Sequence, residues 1–222
     1  LWIAAGVVGT FGMIVGAGIF GLTYAVSQAG LWAGFFYLAV LGAAVMLVHF
    51  FYGEIILRTN QPHRLIGYAG RYLGVWAKRL ATGTVLLEYY GSLLAYMIIG
   101  GSFLAIIFDR WLGFGVTGWA MIFFAAGAAL IIGGIKTIAK NELWLSGLLF
   151  LTVAVLLIKS APVMQWDNLA SGSPARFFLP YGVVLFALAG SAAIPEMRRL
   201  LQGRERELPL AIFWGTFIPI VL

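Results

Sequence analysis

The sequence has no cysteine, which excludes a disulfide framework, a thiolate metal site and a thiol redox pair. Two histidines leave little from which to build any other metal centre. Charge is also scarce: Asp, Glu, Lys and Arg make up 10% of the 222 residues, against about 25% in a soluble domain whose surface faces water. A conventional globular domain is excluded, although the length alone would fit one. Disorder is excluded by an abundance, since 62% of the residues are hydrophobic and disordered chains are poor in such residues. What is plentiful is apolar sequence carrying 29 glycines, the composition of an all-helical polytopic membrane protein in contact with a lipid bilayer.

No charged residue precedes Glu54. A helix needs about 20 apolar residues to cross the hydrocarbon core, so this tract holds two spans, divided near Gln28-Ala29-Gly30. The apolar runs predict one transmembrane domain over 1–222, with spans at about 2–28, 32–57, 76–108, 118–135, 143–159 and 180–200, the third interrupted only by Glu88. A seventh apolar stretch at about 209–222 is too short to cross. The chain opens in apolar sequence without an initiator Met and ends inside the seventh stretch, so we expect part of a longer protein, with sequence missing mainly after residue 222. A cleaved signal peptide is the alternative for the first span, but no charged n-region or Ala-x-Ala exit is present.

Lys and Arg accumulate in cytoplasmic loops. Arg58, Arg64, Arg71, Lys78 and Arg79 follow the second span, Lys136 and Lys140 the fourth, and Arg198, Arg199, Arg204 and Arg206 the sixth, which places eleven of the fourteen basic residues on one side. Six crossings with a cytoplasmic N-terminus in the cell membrane satisfy this alternation. Trp32, Trp76, Trp111, Trp119 and Trp144 fall at span ends, where amphipathic rings prefer to sit. The formal charge of +6 is thus a topology signal rather than a nucleic-acid footprint, and no nucleic-acid partner is expected. Residues 62–74 are basic and amphipathic, and are expected as a short helix at the cytoplasmic interface or as a solvated loop.

In the first span, Gly16-Ala17-Gly18-Ile19-Phe20-Gly21 satisfies G-x-G-x-x-G, but the dinucleotide reading needs a preceding strand and an acid about 20 residues later; the next acid is Glu54. Two readings remain. Gly12-x-x-x-Gly16 is a small-residue face of the kind that packs helices closely in membranes. Alternatively, three glycines in six residues weaken the helix by about 1 kcal/mol each and break it at mid-membrane, exposing N–H groups to a carboxylate and carbonyls to a cation. The sixth span favours the second reading. Its Pro195 withholds a hydrogen bond from the Ser191 carbonyl and disfavours helical geometry at Ile194, with Gly190 and Ser191 just before the gap. Paired interruptions five spans apart point to a transporter binding site, whereas a proline kink in an ordinary packed helix is the bland alternative.

These residues resemble a known family. The run from Gly9-Thr10-Phe11-Gly12 to Tyr24-Ala25, followed by Gln28-Ala29-Gly30, is similar to the first helix of the amino acid/auxin permease family, within the amino acid–polyamine–organocation transporter superfamily. The similarity continues through Tyr52-Gly53-Glu54 and Arg58, Gly67-Tyr68-Ala69-Gly70, Ala95-Tyr96, and Ala187 to Glu196. This chain has Leu22-Thr23-Tyr24 where that family usually has Leu-Pro-Tyr. The resemblance implies a LeuT-type fold, in which the first and sixth helices of two inverted five-helix repeats unwind around a central site. This sequence would hold the first repeat, the sixth helix and part of the seventh. An amino-acid substrate would then meet Val15, Gly16, Ala17, Gly18, Ile19 and Phe20 together with Phe186, Ala187, Leu188, Ala189, Gly190 and Ser191, with Tyr96 closing the site. Carbonyls at Gly12 and Val15 would help hold a sodium ion if sodium is the coupling ion, the other ligands coming from an eighth helix.

Charged side chains inside spans divide by role. Glu88 lies nine residues beyond Arg79, about 13 Å along a helix, where a carboxylate costs about 2.5–3.5 kcal/mol and wants a partner; it is either a proton-coupling group or a structural carboxyl. Glu54 and Arg58 have the spacing of an i,i+4 pair. Glu196 either serves a cytoplasmic gate or caps a helix, and His49 is expected as a bonded packing residue. The sequence and the resemblance therefore predict secondary active transport of an amino acid by alternating access, coupled to protons or sodium as symport or exchange, with no cofactor, no metal centre and no covalent chemistry. A channel or a non-transporting structural bundle is the alternative, and an intramembrane enzyme lacks a convergent catalytic set.

Overall fold

The computed structural model describes residues 18–59, 61–133, 147–148, 151–163 and 172–221. Among the described residues every regular element is a helix. The chain separates into two compact units, one formed by 1–81 with 165–222 and the other by 82–164. The first contains α1 (Gly18–Ala29), α2 (Leu31–Arg58), the start of α3 (Leu65–Leu112), α6 (Leu179–Ala187), α7 (Ala193–Leu200) and α8 (Leu208–Val221). The second contains the rest of α3 with α4 (Gly115–Ile132) and α5 (Leu151–Ser160). Helices α2, α3 and α4 are each long and apolar enough to cross a membrane. At 28 residues, α2 is about 42 Å long, more than the roughly 30 Å of hydrocarbon.

Glycine sets two of the boundaries. Gly30 has φ 99°, a left-handed value that side chains disfavour. It reverses the chain between α1 and α2, and its N–H closes α1 on the Val26 carbonyl at 2.8 Å. Gly74, at φ 84° and ψ −172°, interrupts α3, so the basic segment from Leu65 and the apolar helix after Gly74 are separate rods joined at one residue.

In the first unit, α2 is the spine. Near its start, Tyr37 packs with Val184 and Leu188, and its ring lies 5.2 Å from that of Phe177, just ahead of α6. Near its end, Tyr52 and Ile56 pack with Tyr68, with Ile194, Met197 and Leu201, and with Leu208, Ala211 and Ile212. Helix α8 runs antiparallel along the same stripe, Gly42 facing Ile220 and Gly53 facing Ile212. Between these contacts, His49 Nδ1 and Thr216 Oγ1 are 3.0 Å apart and buried. His49 is thus the bonded packing residue expected from the sequence.

In the second unit, a turn with positive φ at Gly113 and Gly115 joins α3 to α4. The Asp109 carboxylate accepts from the Gly115 N–H at 2.7 Å and from the Trp119 indole N–H at 3.0 Å. Higher up the hairpin, a Cβ on Gly101 would meet Ala120 Cα at 2.8 Å, so glycine permits this close approach.

The His49–Thr216 pair gives a test. Thr216→Val leaves His49 buried without its partner and is expected to cost about 1–3 kcal/mol, seen as a lower unfolding midpoint of the purified protein. Adding His49→Leu should recover most of that loss.

Candidate functional site

The stretch expected as the sixth span is two helices. Helix α6 ends at Ala187 and α7 begins at Ala193, leaving residues 188–192 outside regular helix. The last α-type bond runs from the Leu188 N–H to the Val184 carbonyl at 2.9 Å. Shorter-range bonds take over: Ala189 N–H to Phe186 at 3.3 Å, Ala193 N–H to Gly190 at 3.0 Å and Ile194 N–H to Ser191 at 3.2 Å. Pro195 is the third residue of α7, where its missing N–H would have had no intrahelical partner in any case. The proline therefore opens a new helix rather than kinking a continuous one. Val184, Ala187, Leu188 and Gly190 are buried, Phe186 and Ser191 are half-buried, and Ala189 is exposed.

Helix α1 lies directly against the end of α6. A Cβ on Gly18 would stand 2.6 Å from Ala187 Cα, and one on Gly21 would stand 3.2 Å from Val183. Two residues proposed from the sequence, Gly18 and Ala187, are thus in contact where α6 stops. Ile19 and Phe20 continue α1. Gly12, Val15, Gly16 and Ala17 lie outside the described residues. Tyr96 and Glu88 belong to the part of α3 in the second unit; Glu88 is exposed and has no bonded partner among the described residues.

The gap has a defined electrostatic character. The end of α6 presents carbonyls and the negative end of a helix dipole, which favours an ammonium group. The first N–H groups of α7 are already engaged, those of Ala193 and Ile194 by the Gly190 and Ser191 carbonyls, and Pro195 has none, so the donors left for a carboxylate are those of the gap itself, at 190–192. An α-amino acid carries both charges on one carbon. Gly18, Ala187 and Gly190 are small and buried beside this pair of helix ends, and the first two are in direct contact.

The half-helix after the gap is fastened to the end of α2, a feature the sequence did not reveal. Arg198 Nη1 donates to the carbonyl oxygens of Ile56 at 2.7 Å and Thr59 at 3.1 Å. Both carbonyls belong to the α2 terminus, where they lack intrahelical donors and the dipole favours a cation. Thr59 Oγ1 donates to the Ile55 carbonyl at 2.7 Å and sits 2.8 Å from the Tyr72 hydroxyl. Glu196 pairs with Arg199 at 3.1 Å and with Arg64 at 3.4 Å, and Glu54 pairs with Arg58 as their spacing predicted. These ion pairs are solvent-exposed and worth at most about 1 kcal/mol each, whereas a charged donor on a carbonyl contributes about 1.5–3 kcal/mol. Beyond α7, Glu205 is held below the ordinary carboxylate range, chiefly by hydrogen bonding to its own N–H and to that of Gly203 and less by the Arg198 charge.

Comparison with known proteins adds a family. Residues 2–222 match the tryptophan/tyrosine permease family. Tyrosine-specific transport system 1 of Haemophilus influenzae is 24% identical over 213 residues, covering 94% of this chain and 52% of that protein. The chain thus spans about half the length of this relative. No solved structure matches it.

The helix contacts separate two glycine substitutions. Gly18→Ala drives a methyl against the α6 backbone, which yields only if a helix moves. Gly53→Ala meets only the tip of the Ile212 side chain, which can rotate away. By size-exclusion of detergent extracts, Gly18→Ala is expected to reduce folded, monodisperse protein several-fold, and Gly53→Ala by less than twofold.

Proposed function

The chain belongs to the tryptophan/tyrosine permease family, and from that premise we propose that it forms the substrate-binding part of a secondary transporter for aromatic amino acids. The observation that carries this reading is the interruption at 188–192 beside the glycine face of α1. An ammonium group at the α6 carbonyls and a carboxylate at the N–H groups of 190–192 would orient any α-amino acid. An aromatic side chain rests on the family, and the name of the Haemophilus relative supports tyrosine.

The finer parts of the proposal rest on the sequence resemblance. They are a LeuT-type arrangement, alternating access, coupling to protons or sodium, Tyr96 as a lid on the substrate, Glu88 or the Gly12 and Val15 carbonyls as coupling groups, and a cytoplasmic N-terminus. In that arrangement the first span would have its own interruption ahead of Gly18, where α1 begins, since Gly18 and Gly21 are themselves helical.

The test is uptake by the full-length protein in proteoliposomes under imposed proton or sodium gradients. L-tyrosine or L-tryptophan is expected to accumulate above equilibrium, with each competing for the other, and Gly190→Leu should lower uptake more than tenfold while leaving membrane insertion intact. Flux that only runs downhill would indicate a channel. Absence of both flux and binding would indicate a structural bundle.

A further inference from the structure

The interrupted span poses a mechanical problem. Residues 188–192 are anchored on one side by α6, which is held by apolar packing and by the Gly18 contact. On the other side they depend on α7, which has only eight residues. A helix that short does not hold itself in water or in lipid without tertiary support. Its apolar face is buried through Ile194, Met197 and Leu201, but apolar packing alone leaves a two-turn helix free to slide along or rotate on its neighbours. Directional bonds remove that freedom, and α7 has one set that is both charged and aimed at fixed backbone: Arg198 on the carbonyls of Ile56 and Thr59. The bonds of Glu196 join exposed, flexible side chains and constrain little.

We propose that Arg198 is a positioning residue for transport: by bridging two carbonyls at the end of α2 it fixes the axial position and rotation of α7, and so the placement of the adjoining segment 188–192, whose N–H groups at 190–192 meet the substrate carboxylate. Arg198 does not touch substrate. It acts six to eight residues away, through a helix too short to absorb a shift elsewhere. Both bonds come from the one nitrogen Nη1, whose two N–H groups point in fixed directions in the guanidinium plane, whereas an ammonium turns about its stem and holds no fixed pair of directions. This inference rests on the reading of 188–192 as the substrate-facing segment.

The experiment measures KM and turnover for L-tyrosine and L-tryptophan in full-length, reconstituted wild type, Arg198→Ala, Arg198→Lys and Glu196→Gln, each normalised to folded protein. Arg198→Ala is expected to raise KM at least tenfold with turnover changed less than about threefold. Arg198→Lys should give an intermediate KM, about threefold above wild type, and Glu196→Gln should stay within twofold. A merely structural role would reduce the amount of folded protein and leave KM unchanged; wild-type KM in Arg198→Ala overturns the proposal. If Arg198→Ala yields no folded protein, wild-type KM in Arg198→Lys overturns it instead. Wild type that neither binds nor moves either amino acid removes the transporter reading and this inference with it, whereas a working wild type with an indifferent Arg198 removes this inference alone.

Discussion

A backbone inside hydrocarbon must satisfy its own polar groups, because lipid offers no hydrogen bonds. In the reading proposed for this molecule that constraint acts at residues 188–192, where the stretch expected as the sixth span gives up its regular ladder for five residues. Such a gap persists only where protein surrounds it or where it faces a water-filled cavity. Here it is flanked by two apolar clusters, one holding Val184 and Leu188 and the other holding Ile194 and Met197. The spine helix α2 reaches both, so a single long rod supports the two halves of a broken one.

The two halves are held by different physics. Helix α6 is held by shape: a glycine of α1 presses on its last residue, and the rings of Phe177 and Tyr181 lean on Tyr37. Helix α7 is held by shape on its buried face and by charge at its arginine, which completes the unpaired end of α2. Non-directional packing is tolerant of small shifts, while charged hydrogen bonds to fixed carbonyls are not. The half of the span with fewer turns carries the directional bonds.

Local rules made part of this legible in the sequence. Glycine at 190 weakens a continuous helix and proline at 195 is accepted only in the first turn of a new one, so the interruption could be placed from the order of these two residues, and the Glu54–Arg58 pair follows from helical spacing. The change from basic to apolar sequence marked the boundary at Gly74. The sequence could not show that Arg198 reaches across 139 and 142 positions to two carbonyls, because an acceptor on the main chain leaves no trace in residue identity. Nor did it show Gly18 touching Ala187, although each was singled out; contact depends on how two rods are set, not on what either contains. Glu196 illustrates the same limit: of the two roles its sequence allowed, a gate or a helix cap, it does not serve as the cap, and it pairs with Arg199 of its own helix and with Arg64 just ahead of α3. The resemblance led to an amino acid/auxin permease, and the family that matches the chain is the tryptophan/tyrosine permease family.

Hydrogen–deuterium exchange on the full-length protein in lipid nanodiscs reaches the central claim most directly, since it reads the backbone amides themselves. The account predicts that amides at 190–192 exchange at least a hundredfold faster than those at 183–187 and 196–200, and that L-tyrosine or L-tryptophan slows them. Uniform protection from 181 to 200, unaffected by either amino acid, would contradict it.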